Sequence, residues 1–237
     1  MNATTAVLRL QLVRRGTWFV VPLVIVGVTA VVTLVIQLAI QRALGVPPDA
    51  AEWIEGARGT AVLQWGLSGY LVSLGVASVA SVFPVAGALG TTRRDFTTGT
   101  LLTHAVASAY LSAVLVALLG LELLTGHWFL GIYLLDTTLL GSGNAAVLVL
   151  VTFLGSLTAL TIGSAFGAVW LRFGPRGPLA VSAAVVLVLA VALLAAAPQL
   201  ADLAQVFEAW WLVVAAGAVV ALASAGTAAS LRRAANR

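Results

Sequence analysis

The sequence predicts an all-α membrane bundle of six transmembrane helices, with both termini on the cytoplasmic side. Three observations carry that reading. Of the 237 residues, 61% are hydrophobic and only 8% charged, with a mean hydropathy of +1.09. A soluble domain carries about 25% charged residues to solvate its surface, so lipid must be the solvent for most of this chain. Six apolar runs are each long enough to cross a bilayer, which takes about 20 helical residues. The arginines gather in alternate connections between those runs. A soluble enzyme, a nucleic-acid-binding domain and a disordered tail are excluded.

The elements follow in chain order as one transmembrane domain, 1–237. Residues 1–17 form an arginine-rich cytoplasmic surface helix. The first span runs from Trp18 to Gln41. Its apolar stretch exceeds the usual core of about 7–15 residues in a cleaved signal peptide, and no small-x-small site follows it. The connection Arg42 to Thr60 holds Pro47-Pro48 and a short outer helix, Ala50 to Ala57. Span two covers Ala61 to Gly90, and Pro84 should kink it because proline lacks a backbone donor. Spans three to six are Thr98 to Leu124, Ala145 to Leu171, Leu179 to Ala197 and Ala209 to Leu231. Gln199 to Glu208 alternates apolar and acidic residues, as a short interfacial or re-entrant helix would. Backbone groups in hydrocarbon need internal partners, so each run is a helix. The short alternating segments of a β-barrel are not seen. No internal repeat of the inverted-transporter kind is found.

Arginine placement orients the bundle. Arg9, Arg14, Arg15, Arg93, Arg94, Arg172, Arg176, Arg232, Arg233 and Arg237 fall on one side, against Arg42 and Arg58 on the other. The positive-inside rule makes the crowded side cytoplasmic. Most acids mirror this, with Asp49, Glu52, Glu55, Asp136, Asp202 and Glu208 outside and Glu122 at the outer end of span three. The expected location is a bacterial inner membrane, as a multi-pass protein.

Two absences limit the chemistry. There is no cysteine, hence no disulfide or thiolate metal site. All 12 basic residues are arginine, so there is neither a phosphate-binding GxxxxGK[ST] loop nor a Schiff-base lysine. ATP and magnesium, if used, belong on another chain. No cofactor, metal site or nucleic-acid partner is expected, because apolar runs separate the arginines.

Polar and small residues recur at helical spacing. Thr29, Thr33, Gln37 and Gln41 share one face of span one, either bonding to other helices or lining a translocation route. Thr100, His104, Ser108 and Ser112 form a similar row on span three, where the histidine reads as neutral and structural. Gly155, Ala159, Gly163 and Gly167 on span four, and Gly69, Ser73, Ala77 and Ser81 on span two, are packing seams within the bundle or between two copies. Ser164 and His104 lie at matched depth, which keeps an intramembrane serine protease as a third reading behind a carrier.

The most informative segment is FPVAGALGTTRRDFTTGT, Phe83 to Thr100. Thr91 or Thr92 should cap a short surface helix, Arg93, Arg94, Asp95 and Phe96 should present charge and an aromatic ring, and Gly99 should permit re-entry. Taken alone, such a turn also suits anchoring to lipid phosphates. In context it resembles the second-to-third connection of type-2 ABC exporter permeases, particularly small six-span actinobacterial subunits. There a kinked second span leads into a G-x-[ST]-R-R-[DE]-[FY] turn, and an arginine-rich amino-terminal helix, here Val7 to Arg15, lies on the inner surface before span one. The resemblance covers the whole chain as topology and about 18 residues as motif. It implies a permease subunit that is not itself an ATPase, paired with a second copy or a paralogue and driven by a separate cytoplasmic ATPase. Thr92 to Phe96 would then be the ATPase-coupling turn. Spans one, two and five would line the route, with the Thr29 row as candidate lining. The alternative is a six-span secondary carrier or a membrane assembly subunit without an ATPase; the substrate stays open.

Overall fold

A computed structural model describes residues 3–60, 62–199 and 210–233. Among them there is no strand, and six helices are long and apolar enough to span a membrane. The chain is an all-α polytopic bundle. Its elements are α1 (Ala3–Gln11), α2 (Val21–Leu44, entered through a π-helical turn Gly16–Val20), α3 (Ala51–Arg58), α4 (Val62–Ala80), α5 (Val82–Ala88), α6 (Arg93–Leu124), α7 (Ala145–Phe173), α8 (Arg176–Ala196) and α9 (Trp210–Arg233). The stretch 200–209 lies outside the described residues, and with it most of the expected Gln199 to Glu208 helix.

Helix α7 is the hub, packed against α4, α6, α8 and α9. The contact with α4 is backbone on backbone. A Cβ on Gly163 would overlap the Val72 carbonyl, and one on Gly75 would overlap the Leu160 carbonyl. At Gly167 an added Cβ would lie 2.6 Å from the Val76 carbonyl oxygen. Lipid is as apolar as a side chain, so close van der Waals contact has to hold such a pair. The expected small-residue row on span four is therefore an intramolecular seam at Ala159, Gly163 and Gly167, whereas Gly155 is exposed with open space around it. On span two the outcome differs. Gly69, Ser73, Ala77 and Ser81 all face outward, and Leu71, Leu74, Gly75, Ser78 and Val79 make the seam instead.

Span two breaks as Pro84 requires. Proline cannot bond to the carbonyl one turn back, and the helix interrupts at Ser81 before resuming as α5. The amino-terminal helix lies earlier than expected, over Ala3–Gln11 rather than Val7 to Arg15. It is seated on α6 by Val7, which is 1% exposed. An added Cβ at Gly99 would lie 2.7 Å from Val7 Cβ and 2.9 Å from the Thr4 carbonyl oxygen. Gly99 thus does not let the chain re-enter the membrane after a separate surface helix. Helix α6 continues unbroken from Arg93 to Leu124, and the glycine makes room for α1.

Helix α8 is bare. Among its residues only Gly177 is buried, and the rest of its surface is left to lipid or to another chain. The described chain ends meet on the arginine-rich face, where α1 packs on α6 and the Arg93 guanidinium donates to the Arg232 carbonyl.

Gly163→Ala should weaken the bundle by about 1–3 kcal/mol, the usual cost of overpacking a tight contact. Gly155→Ala should be neutral. Thermal unfolding of the two variants in one detergent checks this contrast; equal midpoints would remove the α4–α7 contact as the organising seam.

Candidate functional site

Two regions gather polar chemistry, one at each membrane face. The outer one is built by the connection after α6. Gly126, His127, Trp128 and Phe129 all have φ near +60°, from 59° to 61°, and form one left-handed turn. For residues with a Cβ this conformation costs about 1–2 kcal/mol each, so neighbouring structure has to impose it. The Thr125 hydroxyl accepts from the Trp128 amide at 3.1 Å. The His127 ring stacks on Tyr133 at 4.2 Å between centroids. His127 Nε2 also lies 2.9 Å from the Asp136 carboxylate.

Glu122 then fastens the following segment. Its carboxylate is fully buried and accepts from three consecutive backbone amides, Leu134 at 2.9 Å, Leu135 at 2.8 Å and Asp136 at 3.3 Å. A carboxylate is tolerated out of water when its lone pairs are filled in this way. The segment 132–137 is thereby drawn into the mouth of the bundle and buried throughout. Span one closes the same cap. Gln37 clamps Tyr133 with both ends of its amide, donating to the carbonyl at 2.8 Å and accepting from the amide at 3.0 Å. Gln41 donates to the Leu130 carbonyl at 3.3 Å, and the Trp53 indole donates to the Gly131 carbonyl at 2.9 Å.

The charged centre of the cap is Asp136, 1% exposed, which takes Arg58 at 2.7 Å as well as His127. That hydrogen bond raises the Arg58 pKa above its ordinary value, against the opposing effect of burial. Arg58 also stands 5.4 Å over the Tyr133 ring, whose phenol burial pushes up. The sequence places Glu122, Asp136 and Arg58 on the outer side without linking them. Their separation along the chain gives no periodic signal; a carboxylate at the end of a span is the one hint.

The inner face carries the arginine turn. Thr92 caps α6 reciprocally: its hydroxyl donates to Asp95 Oδ2 at 2.6 Å and its oxygen accepts the Asp95 amide at 3.2 Å. The Asp95 charge also suits the helix amino terminus. Arg94 is exposed, whereas Arg93 is tied to the end of α9. Phe96 corrects an expectation. It presents no ring at the surface; it is 1% exposed, edge-on to Phe83 at 5.1 Å and clustered with Val7, Val79, Ala168 and Leu231.

The row on span three is a polar seam inside the bundle. Thr100 accepts from Gln11 at 2.7 Å, and Ser112 meets Thr152 of α7 at 3.0 Å. Ser78 donates to the Gly75 carbonyl at 2.7 Å, which leaves its oxygen to accept from His104 Nε2 at 3.2 Å. Ser164 turns its hydroxyl to carbonyls of its own helix, Leu160 and Thr161. The histidine thus meets Ser78 rather than Ser164, with the proton arrangement opposite to that of a base activating a nucleophile. Thr29 likewise bonds back to Ile25 at 2.7 Å, so the candidate route lining divides. Gln37 and Gln41 serve the outer cap, and Thr33 is left buried with an unpartnered hydroxyl. Among the described residues no group of His, Asp or Glu is placed to hold a metal ion.

Compared with protein-family models, curated proteins and solved structures, the chain matches none of them. The two faces therefore have to be read from their own geometry.

Losing the Glu122 carboxylate strands three buried amides, each costing about 1–3 kcal/mol. The chain has no cysteine, so a single Thr137→Cys reports the cap without background. Thr137 is 1% exposed and should resist a membrane-impermeant maleimide, while Thr138→Cys on the exposed neighbour reacts. In a Glu122→Ala background, Thr137→Cys should label at least tenfold faster, as that free energy implies. An unchanged rate would mean that another contact holds the cap.

Proposed function

We infer that this chain is the membrane-spanning subunit of an ATP-driven exporter in a bacterial inner membrane. The observation that carries the reading is the inner turn. Thr92 and Asp95 start α6 rigidly, Arg94 faces out, and Phe96 ties the turn to the core contributed by α1, α4, α5, α7 and α9. A cytoplasmic ATPase that docks against Arg94 and the neighbouring surface of α1 would move this whole cluster, because Phe96 packs the turn into it. ATP hydrolysis would come from that partner, since the chain lacks the lysine of a phosphate-binding loop. ATP and magnesium are accordingly assigned to the ATPase subunit.

A second permease, as another copy or a paralogue, fits the surfaces left uncovered. The outward row Gly69, Ser73, Ala77 and Ser81 permits close helix approach, and α8 offers nearly its full length. Alternation between inward-open and outward-open states would then take place between the paired subunits. The outer cap is the element that has to give way on release.

Co-purification in mild detergent, with the genes adjacent to this one co-expressed, tests the reading. A stoichiometric cytoplasmic ATPase should co-elute. Arg94→Glu should reduce it at least tenfold, about 1.4 kcal/mol or more of docking energy, without lowering the thermal midpoint of the permease. Phe96→Ala should instead lower that midpoint, by about 3–5 kcal/mol of lost core packing. A clean bundle that never retains an ATPase would move the secondary-carrier reading into first place.

A further inference from the structure

Beside the outer cap lies a slot of about 320 Å³ between α2 and α3, walled by Thr33, Ile36, Gln37 and Ile40 on one side and by Trp53 and Ala57 on the other. Along α2 its wall runs from Thr33 to Leu44, about 16 Å, roughly one leaflet of hydrocarbon. Its depth is apolar apart from three side chains, and two of those are already satisfied. Gln37 is held by Tyr133, and the Thr60 hydroxyl donates to the Ala57 carbonyl at 2.8 Å. The third is Thr33 at the inner end, 4% exposed, whose hydroxyl has no partner. Unlike Thr29 one turn earlier, it does not bond back to its own helix.

The mouth is acidic. Glu52 lines it from the first turn of α3, and Asp49 and Glu55 are exposed nearby in the sequence. Asp49, Glu55 and Arg42 are all exposed and none of them lines the slot, while Arg58 is spent on Asp136, so Glu52 is the one charged side chain of the lining. A narrow apolar slot of leaflet depth with a carboxylate at its aqueous end matches a single hydrocarbon chain bearing a cationic head.

We propose that this slot binds a single-chain cationic amphiphile from the outer leaflet, with its head at Glu52 and its chain running along α2 toward Thr33. Trp53 and Ala57, fixed by the cap, form the opposite wall, so the site shares its frame with the segment that Glu122 fastens. Binding at this site needs no ATPase, and it stands or falls separately from the exporter reading.

Gly56 supplies the decisive variant. It lines the slot, and a Cβ added there meets nothing within 4 Å, so Gly56→Leu fills the cavity without displacing backbone. The measurement is saturable binding of tritiated dodecyltrimethylammonium to the purified full chain in phosphatidylcholine nanodiscs. One site per chain is expected. Gly56→Leu should abolish it, and Glu52→Gln should weaken it about two- to fivefold, the loss expected for an exposed ion pair. Both variants should keep the thermal midpoint of the parent, and dodecyl sulfate should compete at least tenfold less well than the cation. Absence of saturable binding, or binding untouched by Gly56→Leu, would overturn the proposal. Equal competition by dodecyl sulfate would also overturn it, since the slot would then hold ordinary lipid chains without regard to the head.

Discussion

The bundle depends on the contact between α4 and α7 at Gly75, Gly163 and Gly167, where two backbones touch without side chains between them. In water a core can be gathered by excluding solvent, but between helices in lipid that drive is absent and contact distance replaces it. A glycine pair gives the shortest approach available, and α7 then positions α6 and α9 around itself. Everything of chemical interest is hung from that frame. The inner turn is seated on it through Phe96 and Ala168, and the outer cap is fastened to it through Glu122 on α6.

The outer cap shows how a chain with 8 acidic residues uses them. Glu122 fills three backbone amides that would otherwise be lost to water, and Asp136 joins α3 to the left-handed turn through Arg58 and His127. The turn itself is strained at three residues that carry a Cβ, and a ring contact with Tyr133 plus the His127–Asp136 hydrogen bond hold it there. Such strain persists only where the surrounding contacts over-determine it, as they do here. The cap sits beside the slot along α2.

Much of the architecture was legible in the residues because lipid imposes long, continuous constraints. Run length located each span to within a few residues and Pro84 located the break in span two, whereas the residues after Thr92 read as a separate surface helix and are the first turns of α6. The rows at four-residue spacing were legible only as rows. Gly155 and Gly163 look alike in sequence, yet one faces open space and the other a carbonyl. Gln37 and Gln41 belonged to a row that had to meet protein or water, and what they meet is a loop 96 and 89 residues away in the chain. Phe96 read as a surface ring because its neighbours are charged, whereas the helix turns it inward onto Phe83.

The sequence by itself determined the all-α class and the number of spans, because hydropathy acts residue by residue along the chain. Which face of each helix meets another was decided only by tertiary structure. A helical row specifies an angle about its own axis but carries no information about the partner at that angle. The same holds for the polar groups of the outer cap. Glu122, Asp136, Arg58 and Gln37 lie on different elements, and only the folded bundle brings their charges and amides within hydrogen-bonding distance.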